Sequence, residues 1–285
     1  MGLWHGDDLD LTAYFARIGF TGRPEPTPAT LRDMHRAHTT SIPFENLEIM
    51  LGRDVPLDLK SLQRKLVRSA RGGYCFEHAA LFAAALERIG FRFTALTARV
   101  TLGGDPVTRP ATHALLVVEF DDGARFLCDV GFGRGPLEPI ELVAGPEHDQ
   151  SGWRFRLSAS PTDDLFRTES WILWQHDGEW IDRHTFTLNP QFPIDFHVGN
   201  HFVHTSSSSP FTKRPFVQRF TESEHRTLDG TTLTTTAPDG GRAVHESSPE
   251  DLPQLLADVF AIELDATDSS TLAATESARQ AAATA

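Results

Sequence analysis

Arg71-Gly72-Gly73-Tyr74-Cys75-Phe76-Glu77-His78 runs directly into AALFAAALERI (79–89), and Gly90 stands where a helix should stop. This stretch sets one of only two cysteines at the mouth of a long apolar helix. A cysteine in a first helical turn faces the positive end of the dipole and backbone N–H groups without partners. Both favour thiolate over thiol, and so favour a nucleophile. The simpler alternative is a small apolar core residue. Gly72 and Gly73 tip the reading toward function, because they leave the backbone open to close approach by a ligand.

Working outward, residues 1–90 read as helical. Asp10 caps a helix that runs to Ile18 and stops at Gly19, and Thr27-Pro28 opens another over 29–40. Pro43 breaks the pattern before Phe44-Glu45-Asn46-Leu47, and Asp58 caps a third helix over 59–69. From Phe91 the period changes. FRFTALTARV, THALLVVEF, ARFLCDVGF, WRFRLSA, ESWILWQ and EWIDRHTFTL are short β-rich runs separated by Gly, Asp and Pro, which predicts a small barrel or sandwich. Residues 192–216, rich in Pro, Ser and His, read as a long connection. HRTLDGTTLTTTAPDGGRAV predicts strands about Asp229-Gly230 and Asp239-Gly240-Gly241, and Ser248-Pro249 opens a helix over LPQLLADVFAI. The Ala/Ser/Thr-rich end reads as a flexible tail or a weak helix. The units expected are 1–90 helical, 91–200 β-barrel, 201–268 an α/β lid and 269–285 tail.

The 285 residues, 40% hydrophobic and 23% charged, fit a globular protein. A net charge of -13 with no basic run argues against nucleic-acid binding. Cys75 and Cys128 offer no disulfide framework, and the start MGLWHGDDLD has no signal-peptide pattern, so a cytoplasmic location is expected. No apolar run has the length of a membrane span.

A nucleophilic thiol calls for an imidazole to manage its proton and an acid to orient that imidazole. The hairpin around Asp121-Asp122-Gly123 supplies both. A three-residue loop with Gly123 left-handed sets Phe120 opposite Ala124, residue 115 opposite 129 and residue 113 opposite 131. His113 and Asp129 then share a face as diagonal neighbours. A two-residue loop would separate them. Cys128 points the other way, into core. Cys75 and His78 resemble half of a metal site, but no second pair stands at ligand spacing, so no metal is expected. Gly131-Phe132-Gly133-Arg134-Gly135 is only loosely a phosphate loop, since Pro136 and Pro139 forbid the helix that should follow.

IPFENL (42–47), RGGYCFEH (71–78), the THALLVV strand, DVGFG (129–133) and NHFVHTSSSSPF (200–211), in this order and spacing, resemble the arylamine N-acetyltransferases. The resemblance implies an α+β fold: an N-terminal helical bundle, a central β-barrel and a C-terminal α/β lid around a papain-like Cys-His-Asp core. By residue match it makes Cys75 the nucleophile, His113 its base and Asp129 the orienting acid. It implies acetyl-CoA as donor, arylamines, arylhydrazines or N-hydroxyarylamines as acceptors, and an acetyl-cysteine between two steps. Phe44, Val100, Phe132 and Phe202 match acceptor-pocket positions. Thr205 and Ser209 match hydroxyls near the coenzyme, with Lys213 and Arg214 beyond them to steer phosphates. Ser207 departs from the family's usual proline, and Arg109-Pro110 replaces a small turn before His113. A homo-oligomer is compatible with this reading.

Three rivals share parts of it: an amide synthase closing macrolactams from a carrier-bound acyl chain, a cysteine protease or transglutaminase, and a binding protein that retains the fold without the chemistry. An acetyl adduct from acetyl-CoA, coenzyme-independent peptide hydrolysis, and survival of the biological role in Cys75→Ala separate them.

Overall fold

The apolar helix after the double glycine, α5 (Cys75–Ile89), is the axis of the first core, and each residue from Cys75 to Leu86 is buried. The protein, a computed structural model, is described over residues 2–162 and 165–284. Around α5 pack α1 (Leu11–Ile18), capped by Asp10 and closed by Gly19 at φ 72, and α2 (Pro28–Ser41), capped by Thr27. The chain then forms the two-residue strand β1 (Phe44–Glu45), α3 (Leu47–Met50) and α4 (Leu59–Leu62), which continues as a π-helical turn over Gln63–Val67. A helix buried on every side has no solvated face for its polar residues, so these need partners. Glu77 accepts from Lys65 Nζ at 2.8 Å and, as the N-terminal capping carboxylate, from Tyr74 N at 3.1 Å.

The second layer is an eight-stranded antiparallel sheet of barrel-like form. Its strands are β2 (Arg92–Val100), β3 (His113–Glu119), β4 (Arg125–Cys128), β5 (Ile140–Glu141), β6 (Glu147–Gln150), β7 (Trp153–Ser160), β8 (Ser170–Asp177) and β9 (Glu179–Thr187). They run in the order β5-β4-β3-β2-β9-β8-β7-β6. HALLVVE is almost uniformly apolar because β3 is buried on both faces. Ala114, Leu116 and Val118 join the α5 core, while Leu115 and Val117 join a second core with Leu96, Leu127, Phe155 and Phe186. His113 and Asp129 continue the second set.

The hairpin has the register its loop predicts. Gly123 is left-handed at φ 86, Phe120 N bonds Ala124 O at 2.9 Å, and Leu116 faces Cys128.

Beyond the barrel the sequence reading needs correction. The expected connection over 192–216 holds α6 (Pro193–Thr205), at whose start Asp195 accepts from Phe192 N at 2.8 Å. Only Phe196, Asn200 and Val203 of that helix are buried, so its apolar stripe is interrupted by an amide. The end of the chain, read as a flexible tail or a weak helix, is α8 (Ala266–Thr284). Leu272 is fully buried against α7 (Leu252–Phe260), and Arg53 clasps Asp268. The expected boundaries at 200/201 and 268/269 therefore fall inside helices.

The last sheet has the order β1-β10-β11-β12-β13, with β10 (Phe216–Phe220), β11 (His225–Asp229), β12 (Thr232–Thr236) and β13 (Arg242–Glu246). Its first strand comes from the N-terminal region: Phe44 faces Gln218 and Glu45 faces Val217.

Candidate active site

Cys75 opens α5 at its first helical position, where its own N–H has no acceptor in the helix. The residue is 4% exposed, and its Sγ stands 3.5 Å from the carbonyl oxygen of Thr112, the residue before β3. Gly131 follows the β4 end and passes directly beneath: a Cβ there would stand 2.8 Å from Cys75 Cα and 3.0 Å from its oxygen. The hairpin thus touches the cysteine through a position that only glycine fits.

His113 Nε2 lies 2.9 Å from Asp129 Oδ1, and His184 Nε2 lies 2.9 Å from Asp129 Oδ2. Asp129 N donates to His35 Nε2 at 3.2 Å, while His35 Nδ1 donates to Leu137 O at 3.0 Å, which fixes the His35 tautomer. Each oxygen of the buried carboxylate and its backbone amide are therefore engaged. With Nε2 committed to Asp129, the His113 ring has Nδ1 left for Cys75, whose influence it also feels.

The charges follow from this geometry. Burial works against the His113 imidazolium, but Asp129 and then Cys75 overcome it, and its pKa is pushed up to about 10. Burial opposes ionisation of Asp129 as well, yet His113 and His184 hold its carboxyl well below the usual range. Burial wins at His184 and His35, which are shifted downward, the latter to about 4. One charged imidazole and one neutral imidazole thus flank a carboxylate. The ligand atoms of His113, Asp129 and His184 lie within 4.8 Å of one another, a set that could hold a metal ion. As arranged, two ring N–H groups address separate oxygens, and the carboxylate is satisfied by them alone.

Of the predicted pocket residues, Phe132 lies at this centre, its ring edge-on to His113 at 5.1 Å. Val100 ends β2 directly opposite His184. Phe44 is buried against Phe211 and Phe216, and Phe211 stacks on Tyr74 beside the thiol. Phe202 lies on α6 and is 38% exposed. The candidate coenzyme residues all have local protein partners. Thr205 donates to His201 O, Ser209 caps the turn over Pro210–Thr212, Lys213 donates to Ser207 O and Arg214 pairs with Asp229.

One sequence reading changes. Gly72 and Gly73 are small because of packing: a Cβ at Gly72 would stand 1.9 Å from Pro43 O, and one at Gly73 2.6 Å from the Glu77 carboxylate. His78 is buried. Its Nε2 donates to Gly73 O at 3.0 Å, its Nδ1 accepts from His38 Nε2 at 2.9 Å, and His38 Nδ1 accepts from Tyr14 OH at 2.9 Å. His184 and His35 were not foreseen. A lone histidine in a strand and another in a helix carry no spacing signal toward Asp129.

A barrel-like sheet beside a helical layer, with a buried thiol, imidazole and carboxylate at their junction, is the setting of an acyl-transfer enzyme. The N-acetyltransferase family profile matches residues 27–269, which makes the chain an acyltransferase of that family. An arylamine N-acetyltransferase of Mycolicibacterium smegmatis is 39% identical over 79% of this chain and 82% of its own. The structure resembles the Nocardia farcinica arylamine N-acetyltransferase with a TM-score of 0.91 and 55% identity, over 95% of each chain. It also resembles the Mycobacterium marinum arylamine N-acetyltransferase in complex with CoA, with a TM-score of 0.83 and 29% identity over 95% and 98% of the two chains. The chain belongs to the arylamine N-acetyltransferases, with the α+β fold that membership implies.

Proposed function

We propose that the protein moves an acetyl group from acetyl-CoA to the nitrogen of arylamines, arylhydrazines or N-hydroxyarylamines, in two steps through acetyl-Cys75. The observation that carries this reading is the His113 ring, bonded through Nε2 to Asp129 and coupled to Cys75 beside it.

In the first step Cys75 Sγ, as thiolate, attacks the thioester carbonyl. The N–H of Cys75 at the helix start stabilises the oxyanion. The carbon–sulfur bond to coenzyme A breaks, and the imidazolium of His113 gives its proton to the departing thiolate. Acetylation removes the charge and the hydrogen bond of Cys75, two of the influences that raise the His113 pKa. The neutral ring is then a competent base. In the second step the acceptor amine attacks acetyl-Cys75, His113 takes its proton, and the thiolate leaves, restoring the ion pair. Asp129 holds the ring orientation throughout, and His184 and His35 hold Asp129.

Phe44, Val100, Phe132 and Phe202 form the acceptor wall in this reading, and aromatic surroundings keep water from the thioester. Thr205, Ser209, Lys213 and Arg214 serve the coenzyme by exchanging local contacts for pantetheine and phosphate groups. Two free cysteines are in keeping with a cytoplasmic setting.

Intact-mass analysis tests the proposal. Acetyl-CoA alone should add about one acetyl group (~42 Da) to Cys75, and an aromatic hydrazine added afterwards should remove it as the acetyl hydrazide. Absence of the adduct, or its persistence in Cys75→Ala, would refute the acetyl-cysteine route.

A further inference from the structure

Among the described residues, each sheet edge is short or covered except one. In the C-terminal sheet, β1 is bridged on its outer side to Gly73. In the barrel-like sheet, the edge strands β5 and β6 are two and four residues long, and the Gln150 amide at the end of β6 bonds both the N and the O of Glu138. The remaining edge is β13. It pairs with β12 over all five of its residues without a shift, and it is exposed along its whole length. Its sequence, RAVHE, holds no proline or lysine, and no bulge interrupts it. Those are the usual devices that keep one edge from joining another.

The ladder fixes which backbone groups of β13 look outward. Ala237 N bonds Gly241 O at 2.8 Å and Ser247 N bonds Thr231 O at 3.0 Å, so residues 241, 243, 245 and 247 are the ones bonded toward β12. The N–H and C=O groups of Arg242, Val244 and Glu246 therefore point away from the sheet. These residues are symmetric about Val244. Their side chains share one face, with opposite charges at the two ends and Val244, 58% exposed, between them.

We propose that the β13 edge is an interface for the β13 edge of a second copy of this chain, antiparallel, with the two-fold axis at Val244. In that register each outward N–H finds a carbonyl across the axis. Val244 faces its own copy, and Arg242 faces Glu246 of the other copy on both sides of the axis. Charge selects this arrangement. A parallel pairing sets arginine beside arginine and glutamate beside glutamate, and an antiparallel register shifted by two leaves an outward residue of each strand without a partner in the other. The two C-terminal sheets become one continuous sheet.

Sedimentation equilibrium and amide hydrogen exchange on the full chain test this. The weight-average mass should climb from 31.6 kDa toward twice that value between roughly 10 and 500 µM, the weak association of a contact at the small end of the interface range. Over the same range the amides of Arg242, Val244 and Glu246 should gain protection. Those of Ala243 and His245, already bonded to β12, should not change. A chain that stays monomeric overturns the proposal, as does a dimer in which the three outward amides exchange as in the monomer.

Val244→Pro removes the central outward N–H without touching the ladder to β12, and should hold the mass at one chain. A folded Val244→Pro that still dimerises overturns the assignment. Arg242→Glu sets two glutamates against each other on each side of the axis and should raise the dimer Kd roughly tenfold or more. Adding Glu246→Arg reverses both charges and should return Kd to near its wild-type value. Failure of that rescue overturns the proposal, because the contact would not then be β13 against itself. The charge variants carry the test if Val244→Pro does not fold.

Discussion

Gly131 supports Cys75 from below at a distance no side chain could occupy, since a Cβ would come within 2.8 Å of the cysteine Cα. The contact is backbone against backbone, so neither partner has a flexible end to give way. In Gly131→Ala the hairpin and the helix start must separate, and with them His113 and Cys75. We expect kcat to fall by at least about tenfold with a smaller change in KM, since orientation is lost and not substrate contact. Steady-state kinetics on folded protein decide this, and a wild-type kcat would dissociate the contact from alignment of the pair.

Asp129→Asn tests the anchor of the imidazole. The amide keeps the shape but gives up the charge that most raises the His113 pKa once burial is set aside. Turnover should drop by about two to four orders of magnitude, with the fold preserved by circular dichroism. Activity near wild type would remove Asp129 from the proposed trio.

His184 is predicted to act at one remove, through Asp129. In His184→Phe the Oδ2 oxygen of the buried carboxylate loses its 2.9 Å bond. Stability should fall by roughly 1–3 kcal/mol in denaturant titration. The Asp129 pKa should rise, because His184 is one of the groups that lower it, and the acidic limb of the pH–activity profile should move to higher pH. An acidic limb in the same place would leave His184 a packing role only.

The His113 pKa gives a stability window. Its value is raised from an ordinary 6.5 to about 10, so the folded protein binds this proton more tightly than the unfolded chain does. The stabilisation is complete below about pH 6.5 and is lost as pH climbs through about 10. The gap in Tm between wild type and His113→Gln should therefore shrink across that interval. In Cys75→Ala the His113 resonance should titrate lower than in wild type, because the thiol's contribution is gone. Parallel Tm curves, together with an unmoved His113 titration, would contradict the ion pair.

Leu272→Ala tests the terminal helix. The side chain is fully buried with Leu252, Leu256 and Phe260, so its loss should destabilise by about 2–5 kcal/mol. A change of only a few tenths would mean that α8 does not belong to the third core.

What could be read from sequence was local. Gly123 at its loop position fixed the hairpin register, and through it the shared face of His113 and Asp129. The helix at Cys75 was plain because its flanking glycine and apolar run are contiguous. Helices α6 and α8 were obscured by polar groups standing where apolar ones are expected. In α6 the buried stripe is Phe196, Asn200, Val203, while Ile194 and Val198 face outward. In α8 it is Asp268, Leu272, Glu276, two of them acidic, with the arginine that satisfies Asp268 lying 215 residues away. His184 reaches Asp129 across the two intervening strands β2 and β3, which no spacing along the chain announces. The slip between β8 and β9, where Leu173 faces His184 and Trp174 faces Asp182, is similarly invisible, since nothing in EWIDRHTFTL marks the residue that drops out of the ladder.

The dipeptide Phe44-Glu45 is the edge of the C-terminal sheet and, at the same time, part of the segment that cradles the nucleophile. Glu45 N bonds Gly73 O at 2.9 Å, and its carboxylate holds the guanidinium of Arg71 at 2.9 Å. A seam so short cannot open at one end without loosening the other. The segment that places the thiol is thereby hydrogen-bonded into the first edge of the distal sheet.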